Sequence, residues 1–224
     1  VGEGPPAGAL HVLALADSSF PTGGFAFSSG LEAARAAGHV LDEHGVGVFL
    51  AEQLRHRWHT FDRVLLRRYA ADPGPRQALA LDALVERSSV VDVLRRGSRQ
   101  AGLALLGTFD ALGSAPAAAL REAVLAGRSP GHLVAAQAVC LLGRGLDLAQ
   151  VETVTCWNVV SQTASAALRL GLVGHLGAQR VVARAVAEAE QLLRLEPPPH
   201  PSTCTPLVDV LAERPHRDGH LFAT

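Results

Sequence analysis

Glu52, His56 and His59 stand at i, i+4 and i+7. On a helix this spacing places one carboxylate and two imidazoles on a single face, a donor set that suits nickel or zinc. Arg55, Arg57 and Arg63 crowd the same stretch, and the plainer reading is a solvated, charged face. A second candidate is the run Asp17-Ser-Ser-Phe-Pro-Thr-Gly-Gly-Phe-Ala-Phe-Ser-Ser-Gly-Leu-Glu32. Asp17 can stop one helix, Pro21 fixes a turn, and Gly23 and Gly24 can take positive φ or admit another backbone. Ser28 or Ser29 can cap a helix beginning near Leu31. A glycine loop before a helix N-terminus can cradle phosphate, but this spacing is not G-x-G-x-x-G and no strand–helix alternation follows. A structural turn and a partner-docking loop are the competing readings. A third candidate, Arg169 to Gln179, joins two long helices; Gly174 and Gly177 allow a tight turn, with Arg169 and Gln179 as its polar anchors.

Several chemistries are excluded. The chain has no lysine, and all 20 of its basic residues are arginine, which rules out a standard P-loop and lysine Schiff-base catalysis. Ser18, Ser19, Ser28 and Ser29 have no His and Asp partners that the sequence can pair with them, so no catalytic serine is expected. Cys140, Cys156 and Cys204 lack the spacing of a disulfide framework or a zinc motif, so a reducing, cytoplasmic setting is expected. The net charge of −1 offers no general attraction to nucleic acid or anionic lipid. With no basic n-region before an apolar segment and no apolar run of about 18 residues, neither a signal peptide nor a membrane span is expected.

The elements that must position these residues read as helices. The 224-residue chain, 48% hydrophobic, is long enough for one domain with a real core. Leu10–Ala16 is short and apolar, either strand or helix. A helix is expected from about Ser29 to Ala37, and another element from Asp42 toward Tyr69, bent near Thr60. Asp72-Pro-Gly-Pro75 is a break. Val90, Leu94, Gly97, Ala101, Leu105, Thr108 or Phe109, and Leu112 recur at three- and four-residue steps, with Asp92 set to pair with Arg95 and Arg96 on the other side. Ser114 with Pro116, and Ser129 with Pro130, open further helices. Asp147 caps a helix running to about Leu170, and a last one spans about Leu176–Leu193. Asn158, Ser161, Gln162, Thr163 and Ser165, among Ala164, Ala166 and Ala167, suggest a seam for a second copy. The expected fold is all-α: a single-domain bundle of roughly eight to ten helices. Residues 1–8 are expected to be mobile, and the Pro-rich stretch from Glu196 to release a C-terminal docking tail over 196–224.

The chain resembles the urease accessory protein UreF family. The resemblance rests on Asp17-Ser-x-x-Pro-x-Gly-Gly-Phe-x-x-Ser-x-Gly-Leu-Glu32, then Glu86-Arg-x-Ser, then Ser98-Arg-Gln-x-Gly-x-Ala-Leu-Leu106. It continues through Arg169-Leu, Gly174 and Gln179 to Pro206-Leu-Val-Asp-Val and Leu221-Phe222. In the tail, Asp218 and His220 stand where the family carries Tyr and Arg. The resemblance implies a non-catalytic, dimerising all-α protein that binds UreD (also called UreH) and through it recruits the GTPase UreG. The assembly delivers nickel to apo-urease. GTP belongs to UreG, and nickel passes through the complex without a stable site or any stably bound cofactor in this subunit. The partner-binding residues it implies are Asp17, Ser18, Pro21, Gly23, Gly24, Ser28, Gly30, Glu32, Arg169, Gln179, Leu221 and Phe222. The alternative is a metal- or nucleotide-binding enzyme built on the Gly23-Gly24 loop or on Glu52, His56 and His59.

Overall fold

The computed structural model describes residues 8–17, 20–21 and 30–202. Ser18, Gly23, Gly24 and Ser28 of the opening loop, Leu221 and Phe222 of the tail, and the stretch before Gly8 lie outside the described residues. Every regular element among the described residues is a helix. In chain order these are α1 (Ala9–Ala16), α2 (Leu31–Ala36), α3 (Glu43–Glu52), a π-helical segment (Gln53–Asp62), α4 (Arg63–Ala71) and α5 (Pro75–Ser88). Then follow α6 (Asp92–Ala111), α7 (Ala115–Leu125), α8 (Leu133–Gly143), α9 (Leu148–Arg169) and α10 (His175–Arg194). The ambiguous Leu10–Ala16 stretch is thus helical. Because α3, the π segment and α4 abut without a break, the described residues hold nine separate helices, and the fold is all-α as expected.

Local chemistry explains most of the boundaries. Asp42 caps α3 by accepting from the Gly45 amide at 2.8 Å. Asp147 caps α9 through the Gln150 amide at 2.8 Å, and Gln150 Oε1 accepts the Asp147 amide in return at 3.0 Å. On α6, Ala101, Leu105 and Phe109 are buried, whereas the flanking Val90 and Leu112 are exposed. Asp92 pairs with Arg95 and Arg96 at 2.7 and 2.9 Å, as the helical spacing predicts.

Three boundaries add to the expectations. α2 starts at Leu31 behind Gly30, which takes a left-handed φ of 90° in the N-cap position; Ser28 and Ser29, the expected caps, lie outside the described residues. α8 starts at Leu133 behind His132; Ser129 does not open it, because the Ser129 hydroxyl bonds the Asp82 carboxylate. Near Thr60, where a bend is expected, the chain runs as a π segment, whose i→i+5 pattern brings Arg57 and Asp62 within 3.5 Å.

The residues group into two units. The first comprises residues up to Gly23, Leu65–Val90 and Ser98–Thr155. Its buried side chains include Leu105, Leu106, Phe109, Ala136, Val139 and Cys140. The second comprises Gly24–Val64, Val91–Gly97 and Cys156 onward. Its core gathers Leu31, Val46, Phe49, Leu50, Leu54 and Trp58 with Val160, Ala166, Ala167 and Val181. Each such large side chain contributes about 1.5–3 kcal/mol on full burial. Ala166 and Ala167 lie inside this core, so their small size serves packing within the unit. No helix of the described residues is long and apolar enough to cross a membrane.

Candidate partner-binding site

The described part of the opening loop is anchored in the first unit. Asp17 ends α1 in an extended conformation, and its carbonyl accepts the Phe20 amide at 3.0 Å. Phe20 meets Phe109 edge-on, with ring centroids 5.5 Å apart. The Pro21 carbonyl accepts from the Thr108 hydroxyl at 3.3 Å. Phe20 and the signature residue Pro21 are therefore fastened to α6 before the glycines begin. At the other end, Gly30 and Glu32 are buried in the second unit.

The Arg169–Gln179 corner is built differently from its expectation. The left-handed residue is Gly171, at φ 69°, while Gly174 has φ −84° and Gly177 lies within α10. The turn is closed by its backbone: Gly171 N–H donates to Leu168 O at 3.0 Å and Leu172 N–H to Ala167 O at 3.0 Å. Arg169 is exposed and donates from Nε to the Ser165 carbonyl of its own helix at 3.4 Å. Partial burial holds its pKa below the usual arginine value. Gln179 is exposed on α10.

Glu52, His56 and His59 do not assemble into a metal site. Among the described residues no group of three or more His, Cys, Asp or Glu side chains is placed to hold an ion. The physical reason is the π segment, whose wider repeat carries His56 and His59 off the face that α-helical spacing would give. In addition, His59 Nδ1 lies 3.2 Å from the Arg63 guanidinium, which can only donate. In the first unit a groove of about 730 Å³ runs beside Tyr69, Pro75, Ala119 and Leu142. The charged residues lining it, Glu122 and Arg128, pair with one another at 3.3 Å.

A buried polar network stands where the sequence showed only motif fragments. Asp82 is fully buried. Its Oδ2 accepts the Ser129 hydroxyl at 2.5 Å and the Gly131 amide at 2.6 Å, and its Oδ1 accepts the His132 amide at 2.8 Å. One helical turn later, Glu86 takes a two-pronged contact from Arg99 and a 2.7 Å contact from His132 Nε2. A carboxylate only accepts, so Nε2 carries the proton and Nδ1 accepts from the Ser98 hydroxyl at 3.1 Å. Ser98 Oγ in turn accepts the Leu133 amide at 3.2 Å. Arg99 and His132 hold the Glu86 carboxyl down to about 2, the Arg99 hydrogen bond contributing most. Burial is the main cause that pushes His132 below its ordinary value. Gly102 completes the fit: a Cβ there would sit 2.7 Å from the His132 carbonyl carbon and closer still to the Gly131 carbonyl oxygen. The motif residues Glu86, Ser98, Arg99 and Gly102 thus converge on one loop, residues 129–133. Asp82 and His132 escaped sequence reasoning, since their partners are 47–50 and 34–46 residues away.

In the second unit, Arg63 is 1% exposed and closes the C-terminus of α10. It donates to the carbonyls of Leu192 (2.7 Å), Leu195 (2.8 Å) and Leu193 (3.0 Å). Its guanidinium lies 5.6 Å from the Trp58 ring centre. Beyond α10, Ser202 N–H donates to the Thr60 carbonyl at 2.8 Å. The Pro-rich stretch from Glu196 is expected to release a docking tail; the chain is fastened to the π segment at Ser202, and residues 203–224 lie outside the described residues. Proline cannot continue the helix, but it does not prevent its neighbours from bonding the body.

The UreF family model matches residues 40–186, more than half of the chain. The chain belongs to the UreF family. It is 32% identical over 196 residues to the urease accessory protein UreF of Xanthobacter autotrophicus, covering 86% of this chain and 79% of that one. The protein of the same name from Methylobacterium sp. is 35% identical over 181 residues, 78% and 70% of the two chains. That of Trichodesmium erythraeum is 28% identical over 226 residues, 96% of each. The UreF match begins after the opening loop but includes the whole Asp82–His132 network and the Arg169 corner. In this UreF chain, then, the motif residues of α5 and α6 hold a loop in place.

Proposed function

We propose that this chain is a non-catalytic adaptor in urease maturation. It binds UreD through the segment beyond Ser202, recruits the GTPase UreG through that complex, pairs with a second copy, and takes part in passing nickel to apo-urease as cargo. The observation that carries this reading is membership of the UreF family, with relatives named as urease accessory proteins. Two features support it. Leu207, Val208, Val210, Leu211, Leu221 and Phe222 give the C-terminal segment apolar side chains suited to a partner surface. The polar signature residues are engaged within the fold: Arg99 bonds Glu86, and Ser98 bonds His132 and the Leu133 amide. Nucleotide belongs to the partner, in keeping with a chain that has no lysine.

The test is reconstitution. Full-length protein should co-purify with UreD, and the pair should retain UreG; nickel-dependent activation of apo-urease should require all three. The protein alone should release no phosphate from GTP above a no-protein control. GTP turnover by the isolated chain, or failure to retain UreD, would overturn the reading.

A further inference from the structure

The contacts at the end of α10 form a fixed exit for the C-terminal segment. The last carbonyls of a helix are ordinarily left to water or a capping group. Here that of Leu192, which also takes the Leu195 amide at 3.1 Å, that of Leu193 and that of the C-cap residue Leu195 all point into one guanidinium, from a residue 129–132 positions earlier in the chain. A buried cation at a helix C-terminus also meets the favourable end of the helix dipole. The same rod that carries Arg63 supplies the second hold: the Thr60 carbonyl takes the Ser202 amide at 2.8 Å. Thr60 lies within the π segment, and its own hydroxyl bonds the His56 carbonyl at 2.9 Å. Between the two holds, Pro197, Pro198 and Pro201 are partly covered, and prolines have little backbone freedom to lose. Residues 195–202 are therefore a short, stiff strap with both ends tied to Thr60–Arg63.

We propose that Arg63 is a positioning residue for partner docking. Together with the Thr60 carbonyl it sets the point from which the chain beyond Ser202 departs, so that the segment reaches UreD from a pre-organised start. This rests on the reading that the C-terminal segment docks on UreD. Untying the strap frees residues 195–202 and adds their ordering to the cost of binding.

The experiment measures UreD affinity with full-length protein and variants, beside amide hydrogen exchange over 195–202. Truncation after Ser202 tests the docking reading by itself: it should abolish UreD binding, and wild-type affinity would overturn both that reading and this inference. With docking upheld, Arg63→Met should weaken UreD binding about tenfold or more, and Arg63→Lys should fall between it and wild type, since one ammonium cannot serve three carbonyls as a planar fork does. Ser202→Pro removes the donor to Thr60 and should weaken binding about fivefold, the size expected for one hydrogen bond. Both should raise exchange at 195–202 while the middle of α10 stays protected, and bound UreD should restore protection. If Arg63→Met does not fold, Ser202→Pro decides. Folded variants that bind UreD with wild-type affinity while truncation abolishes binding would overturn the inference and leave the docking reading standing.

Discussion

Glu86 in the first unit and Asp62 in the second are both carboxylates beside an arginine, yet their surroundings push them in opposite directions. Glu86 is held down to about 2, because Arg99 and His132 bond its oxygens directly. Asp62 is pushed above its ordinary 3.8, because burial outweighs the attraction of Arg57, whose Nε stands 3.5 Å away. An opposite charge nearby is not enough to hold a carboxyl's pKa down; it must also replace the hydration that burial removes. The first unit therefore uses charge to pin a loop, while the π segment tolerates a charge that its geometry brought inside.

Four measurements test that contrast. The largest effect is expected for Asp82→Ala, which strips the Ser129 hydroxyl and the Gly131 and His132 amides of their acceptor in a fully buried place. A loss of about 4 kcal/mol in urea unfolding is expected; a loss below about 1 kcal/mol would mean the network does not hold the loop.

Glu86→Gln should cost about 2 kcal/mol at pH 7, discounted for a side chain that is partly exposed. The pH dependence follows from the sign of the shift. Glu86 has a folded value below its unfolded 4.5, so its contribution is complete above 4.5 and disappears as pH falls toward about 2. His132, lowered from 6.5, adds to the same trend, with stability falling as pH drops below 6.5. The difference between wild type and Glu86→Gln should thus shrink between pH 4.5 and 2; a constant difference across that window would contradict the assignment.

Ser98→Ala removes the donor to His132 Nδ1 and the acceptor of the Leu133 amide. A loss of about 1 kcal/mol is expected, read as a lower urea midpoint with unchanged slope.

The smallest effect should carry the opposite sign. Asp62 has a raised folded value, so its contribution is present below the unfolded 3.8 and is lost as pH rises through the folded value. Asp62→Asn should then raise the melting temperature slightly at pH 7 and not at pH 3. A fall at pH 7 would show that the Arg57 pair outweighs burial after all.

Much of the fold was written in short-range pattern. The periodic face of α6, the Asp92 pairs with Arg95 and Arg96, the Asp147 cap and the break at Asp72–Pro75 all depend on residues within four positions of one another. A sequence shows such relations directly, because one helical turn brings them together. The motif fragments at Glu86, Ser98 and Arg99 pointed to a family, and with it to the all-α class, without saying what those side chains touch.

What required the folded chain was every relation across distance. That Asp82 and Glu86 face the loop at 129–133, that Gly102 must lack a Cβ for that loop to fit, and that Arg63 closes a helix 129 residues away depend on which helices pack together. The π segment belongs to the same class. Nothing in the local propensity of residues 53–62 distinguishes i→i+5 from i→i+4, and a π segment in a packed rod is set by the neighbours on both sides. A local pattern chooses an element; only the packing of elements decides which buried donors and acceptors find each other, because each of them must be satisfied by whatever the fold brings within reach.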